Sequence, residues 1–132
     1  MRIGALATAT GTTTKTLRFY EQAGLLTDPP RTPGGYRDYP AHTTARVDFI
    51  RSAQAAGLSL AEIRDVLAIR DGGQPPCTHV TTLLGRHLAD VERRIAELET
   101  TRAMLRELTR TASTIAPETC TEGDICRILA AD

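Results

Sequence analysis

The chain has 132 residues, with 16 Lys and Arg against 16 Asp and Glu, so its formal net charge is zero and bulk charge alone gives it no means of coating nucleic acid. Its length suffices for one modest core, or for a compact domain carrying a long extended helix. No apolar run is long enough to span a bilayer, and the start Met1-Arg2-Ile3-Gly4-Ala5-Leu6 lacks the cleavage pattern of a secretory signal, which points to a cytoplasmic protein with no membrane partner.

Residues Ile3 to Thr8 read as a short apolar helix, and Gly11 as the turn after it. The stretch from Gly11 to Leu26 then carries its own start and stop signals. Thr12 or Thr13 can cap the helix with a side-chain oxygen, and Gly24 can close it in a left-handed conformation. Leu17 marks one face, while Lys15, Arg18 and Tyr20 project a positive, hydrogen-bonding surface suited to phosphates and base edges. Taken alone, this is also an ordinary amphipathic surface helix. Its setting favours the first reading, because helix, turn and helix within two dozen residues is the arrangement that lays a second helix in the major groove. Residues 1–51 also carry seven basic side chains against four acidic ones, which makes the front of a neutral chain basic.

The segment from Thr27 to Pro40 is too rich in Pro and Gly to be helical. Gly34-Gly35 can supply the positive φ of a tight turn, leaving Tyr36 and Arg37 on the tip or flank of a wing, suited to a sugar and a phosphate. A plain connector is the alternative. From Ala41 to Ala56, residues Ala45, Phe49, Ile50, Ala53 and Ala56 recur at helical spacing, with Arg46 and Arg51 either touching phosphates or simply solvated. Ser59-Leu60-Ala61-Glu62 is a capping box that opens a further helix through Leu60, Ile63, Val66 and Leu67, ending at Asp71-Gly72-Gly73.

After Pro75-Pro76 comes the longest periodic segment, a helix from about Val80 to about Thr111. Leu84, Leu88, Val91, Ile95, Leu98 and Leu105 fall into one stripe of roughly four heptads, interrupted at Thr81, Arg102 and Thr109. A lone helix would leave that stripe wet, so a second copy of the chain is the economical partner and a homodimer is expected.

The three cysteines cannot all pair within the chain. Cys120 and Cys126 flank a loop in which Gly123 permits a turn, and Cys77 stands at the head of the long helix. In an antiparallel pair the start of one helix lies near the end of the other, which permits a three-thiolate site shared between subunits. Three soft sulfurs favour mercury, cadmium or lead over a closed tetrahedral zinc site, although His79, Glu122, Asp124 or a water can supply a fourth ligand for zinc. An iron–sulfur cluster ranks lower, lacking a fourth cysteine. His42, His79 and His87 form no pattern with a cysteine and an acid that would make a nucleophile, so no enzyme is expected.

The motifs Thr16-Leu-Arg-Phe-Tyr-Glu-Gln-Ala-Gly-Leu-Leu26, Gly34-Gly-Tyr-Arg-Asp-Tyr39 and Gly57-Leu-Ser-Leu-Ala-Glu-Ile63, with a cysteine heading the long helix, closely resemble the MerR family of transcriptional regulators over nearly the whole chain. The resemblance implies a mainly α fold. Residues 1–73 would form a winged helix-turn-helix domain with a second helical pair, 74–112 an antiparallel coiled-coil dimerisation helix, and 113–132 a metal-binding loop with a short terminal helix. It implies double-stranded promoter DNA as partner, with a palindrome set in an overlong spacer, and an effector that distorts the bound DNA so that RNA polymerase can use it. Thr13, Lys15, Arg18, Tyr20, Tyr36 and Arg37 match the family's DNA-contacting positions. Cys77 and Cys126 match the branch that senses divalent heavy metals, whereas Cys120 stands farther along than the family's usual first loop cysteine, which falls near Ala112 here. The alternative is a redox or organic-ligand sensor of the same architecture, whose cysteines bind no metal.

Overall fold

The computed structural model describes residues 1–130, so the last two positions of the expected 113–132 segment lie outside the described residues. Two compact units divide at His87 and Leu88.

In the first unit, α1 (Ile3–Thr10) and α2 (Thr14–Gln22) form the helix-turn-helix, followed by α3 (Thr43–Ala55), α4 (Leu60–Asp71) and the opening turns of α5 (Cys77–Thr114). Gly11, with φ +66°, makes the turn after α1; a side chain there would strain the backbone and press on Arg51 Nη1, which stands 3.3 Å from where its Cβ would be. α2 starts on Thr13, whose Oγ1 accepts from Thr16 N–H at 3.1 Å. It ends in a Schellman motif: Gly24 N–H donates to Glu21 O and Leu25 N–H to Tyr20 O, with Gly24 at φ +78°. Leu25, just past that turn, is fully buried.

The core joins Leu6, Leu17, Leu25, Val47, Ile50, Ile63 and Val66 with the buried rings of Tyr20 and Tyr39. Leu83 belongs to the same cluster, which seats the start of α5 on it. The capping box before α4 is complete: Ser59 N–H donates to Glu62 Oε1 at 2.8 Å, and Glu62 N–H to Ser59 Oγ at 3.1 Å. His87 Nε2 on α5 lies 2.9 Å from the same Glu62 oxygen. Arg46 grips both oxygens of Asp71, at 2.8 and 3.1 Å, tying α3 to the end of α4.

In the second unit, α5 continues to Thr114, a short 3-10 turn spans Pro117–Thr119, and α6 is Arg127–Ala130. Leu88, Val91, Ile95, Leu98 and Leu105 are all at least half exposed along α5. That is the expected stripe without a cover.

Three sequence expectations change. The long helix extends beyond 80–111 at both ends. On α3 the inward face is Thr43, Val47, Ile50 and Ala53, while Ala45 and Ala56 are exposed, because a methyl group buries too little area to compete with Val47 for the core. Arg46 and Arg51 are not free for phosphates: Arg46 Nε also donates to Leu25 O at 2.8 Å, and Arg51 Nη1 donates to Thr10 O.

Both tethered carboxylates resist protonation. The backbone hydrogen bond from Ser59, and then the one from His87, hold Glu62 below its ordinary range; the Arg46 hydrogen bonds do the same for Asp71. A depressed folded-state pKa gives stability that is present above the unfolded value of about 4 and is lost as pH falls through the lower folded values. The urea midpoint of the wild type should therefore drop between about pH 5 and pH 3. Asp71→Asn should flatten that drop; an unaltered profile would remove the Arg46 pair as its cause.

Candidate DNA-reading surface and thiol-bearing tail

The orientation of α2 follows from its buried positions. Each residue turns the helix by about 100°, so with Leu17 and Tyr20 inside, the outward face carries Lys15, Arg18, Phe19 and Gln22, all exposed. Lys15 and Arg18 thus present their charges to solvent. Thr13 is exposed as well, although its hydroxyl is engaged in the cap.

Tyr20 departs from the expectation of an outward-facing contact. Its side chain is 3% exposed and its hydroxyl donates to Gln54 Oε1 on α3 at 2.8 Å, so it braces α2 from behind. Burial raises its pKa, and the nearby Arg51 opposes that rise. The residue that sequence reasoning missed is Phe19. The signal was the spacing of Leu17 and Tyr20, three apart on one face, which turns the intervening Arg18 and Phe19 toward solvent.

The wing is a turn closed by Thr32 N–H to Tyr36 O at 2.7 Å and Gly35 N–H to Thr32 O at 2.9 Å, with a single antiparallel bridge between Arg31 and Arg37. Gly35 has the positive φ, +85°. Tyr36 is more than half exposed, and the Arg2 guanidinium lies 4.1 Å from its ring centre. Arg37 is half-buried with Nε 3.4 Å from Glu21 Oε2, while the buried Tyr39 hydroxyl donates to Glu21 Oε1. Burial, reinforced by that bond, drives the Tyr39 pKa far above its ordinary value. The base of the wing is thus fastened to the reading helix through one carboxylate.

Of the thiols, Cys77 opens α5 and is exposed, Cys120 is exposed just after the 3-10 turn, and Cys126 is half-buried immediately before α6. Among the described residues, no three His, Cys, Asp or Glu gather into a metal-holding group within one chain. His79 keeps Nε2 buried and without a hydrogen-bond partner, two residues from Cys77. Asp124 spends Oδ2 on Thr121 N–H and Oγ1, each at 3.2 Å, which shapes the loop between the two later cysteines.

A family model described as MerR HTH family regulatory protein matches residues 1–68, and a second, described as MerR, DNA binding, matches residues 44–108. The chain belongs to the MerR family. Its relatives there include the HTH-type transcriptional regulator ZntR homolog of Haemophilus influenzae, 38% identical over 108 residues that cover 82% of this chain and 80% of the relative. A mercuric resistance operon regulatory protein of Pseudomonas fluorescens is also 38% identical over 108 residues, covering 82% and 74%. Among solved structures, a transcription regulator from Ralstonia metallidurans in complex with lead(II) aligns with a TM-score of 0.75 at 35% identity, over 91% of this chain and 94% of that one. These MerR-family relatives are transcriptional regulators and not enzymes.

Two substitutions separate the outer face of α2 from its inner one. Arg18→Ala should lower the slope of log affinity against log salt by about one, as one phosphate contact is lost. Tyr20→Phe should leave that slope alone and cost about 1 kcal/mol in urea unfolding, by removing the hydrogen bond to Gln54. An unchanged slope in the first variant would remove Arg18 from the contact surface.

Proposed function

We propose that the protein is a metal-responsive transcriptional regulator that binds a palindromic promoter as a homodimer. On taking up a divalent heavy-metal ion it distorts that DNA so that RNA polymerase can use it. Thr13, Lys15, Arg18, Tyr36 and Arg37 make the DNA contacts, with Tyr20 as their brace, and residues 1–73, 74–112 and 113–132 divide reading, pairing and sensing between them. The setting is the cytoplasm. The observation that carries the reading is the exposed stripe of α5 together with the cysteines placed at its head and beyond its end.

The spacing of that stripe supports an antiparallel pair. From Leu84 through Leu88, Val91, Ile95, Leu98, Arg102 and Leu105 to Thr109, successive intervals are four, three, four, three, four, three and four, which read the same backwards. A reversed copy therefore lies in register, Ile95 against the partner's Leu98, Val91 against the partner's Arg102, and Leu88 against the partner's Leu105. Continued outward, the same register sets Cys77 against the partner's Ala116, four positions before the partner's Cys120. α5 has 38 residues, a length of roughly 57 Å, so this pairing is what brings the head of one helix to the tail of the other.

Cys77 of one subunit with Cys120 and Cys126 of the other then supplies three soft sulfurs, which favour mercury, cadmium or lead; the unpartnered His79 Nε2 offers a fourth donor, as zinc requires. The relatives named for mercury and zinc and the lead(II) complex support this class of ion without selecting among its members.

Cys77→Ser and Cys126→Ser homodimers should each fail to give the thiolate charge-transfer band on titration with mercury(II), cadmium(II) or lead(II). A heterodimer of the two should recover one site of the pair. Full metal-dependent activation by either homodimer would overturn the shared site, and a response to peroxide without metal would favour the redox alternative. The register has its own test by sedimentation. Leu98→Asp, which buries a carboxylate against apolar neighbours, should break the dimer at a cost of several kcal/mol. Val91→Asp, which meets the partner's Arg102, should leave it assembled; loss of the dimer in this variant would overturn the register.

A further inference from the structure

Phe19 is an apolar ring held out of the core on the helix that faces DNA. It is 47% exposed, and it sits at the centre of the outward face of α2, between Lys15 one turn before it and Gln22 one turn after, with Arg18 alongside. Nothing in the hydrophobic core claims it, since the partly buried side chains packed there are Ile3, Ala23, Phe49, Leu60 and Val80. Its aromatic neighbour among the described residues is Tyr20, at 6.1 Å between ring centres and tilted by 52°. Tyr20 is fixed by Gln54, so the backbone beneath Phe19 is fixed as well.

A large apolar group left wet at the middle of a cationic, DNA-facing helix has a natural complement in the major groove. There the thymine 5-methyl is the apolar feature of the base edges, and aromatic contact with it distinguishes thymine from cytosine. Phosphates would be met by Lys15 and Arg18 at the margin, which neutralises the groove around the ring and lets it approach the bases. We infer that Phe19 is a specificity-determining residue that reads a thymine methyl in each half-site. This rests on the proposed placing of α2 in the major groove, and it goes beyond that placing by naming a base and the atom group recognised.

The probe is a duplex selected by the wild-type protein from a random-sequence pool, then resynthesised with deoxyuridine at each thymine in turn, which deletes one methyl and changes nothing else. Wild-type binding should weaken about fourfold at one thymine per half-site, the worth of one buried methyl group, and stay unchanged at the others. Phe19→Ala should bind the thymine probe about as weakly as wild type binds the deoxyuridine probe, and should show no further loss on methyl deletion. Phe19→Leu should keep the methyl dependence, as should Arg18→Ala despite its weaker binding. Circular dichroism melts check that the Phe19 variants remain folded. Wild-type binding that is indifferent to every methyl, a selected site without thymine in its half-sites, or Phe19→Ala with undiminished methyl dependence would each overturn the inference while leaving the DNA reading intact. Failure of the wild type to select any sequence would bring down both.

Discussion

The rotation of α2 about its own axis is the constraint on which the reading surface depends. It is set from behind, by the burial of Leu17 and Tyr20 and by the hydrogen bond from Tyr20 to Gln54 on α3. A turn of one residue, about 100°, would exchange the outward and inward sets, so a modest apolar contact decides which side chains reach a duplex. The ends of the helix are fastened too. Thr13 caps its start, and at its close the Arg64 guanidinium donates to Ala23 O at 2.7 and 3.2 Å, beside the left-handed Gly24. The placing of α2 is therefore shared among its packing on α1, its own Thr13 cap and side-chain bonds from α3 and α4.

The wing depends on the same helix through Glu21. One carboxylate receives the Tyr39 hydroxyl and lies against Arg37, so the two elements that flank a bound duplex move as one piece. The start of α5 joins them through Leu83 in the core and His87 at the capping box of α4. A displacement at the head of α5, where Cys77 stands, would thus be felt by α4 through bonded neighbours and not through solvent.

Features written in short-range chemistry were legible in the sequence. The Thr13 cap, the stop at Gly24, the Ser59-Glu62 box and the α5 stripe each depend on residues within one or two helical turns, and each is where the pattern put it. The misreadings arose where distant segments decide. A tyrosine two positions from an arginine looks like a surface group until Gln54, 34 positions on, accepts its hydrogen bond. Arg46 and Arg51 resemble free cations, and nothing local reveals that they donate to carbonyls more than twenty residues away. The thiols stand at a different limit: in the shared site proposed for them they meet only across two copies of the chain, which one subunit does not contain.

Arg46, Arg51 and Arg64 also alter how the chain's charge acts at a distance. Each guanidinium is spent on carbonyl oxygens at or just past a helix end, Arg51 on α1 and Arg46 and Arg64 on α2, where it offsets the negative pole of the helix dipole. Of the seven basic side chains among residues 1–51, Arg46 and Arg51 are thus held within the fold by these bonds, while Lys15 and Arg18 stay exposed on the outward face of α2. Attraction to duplex grows with the number of phosphates neutralised, and that number is set by the cations left on the surface and not by those engaged at helix ends.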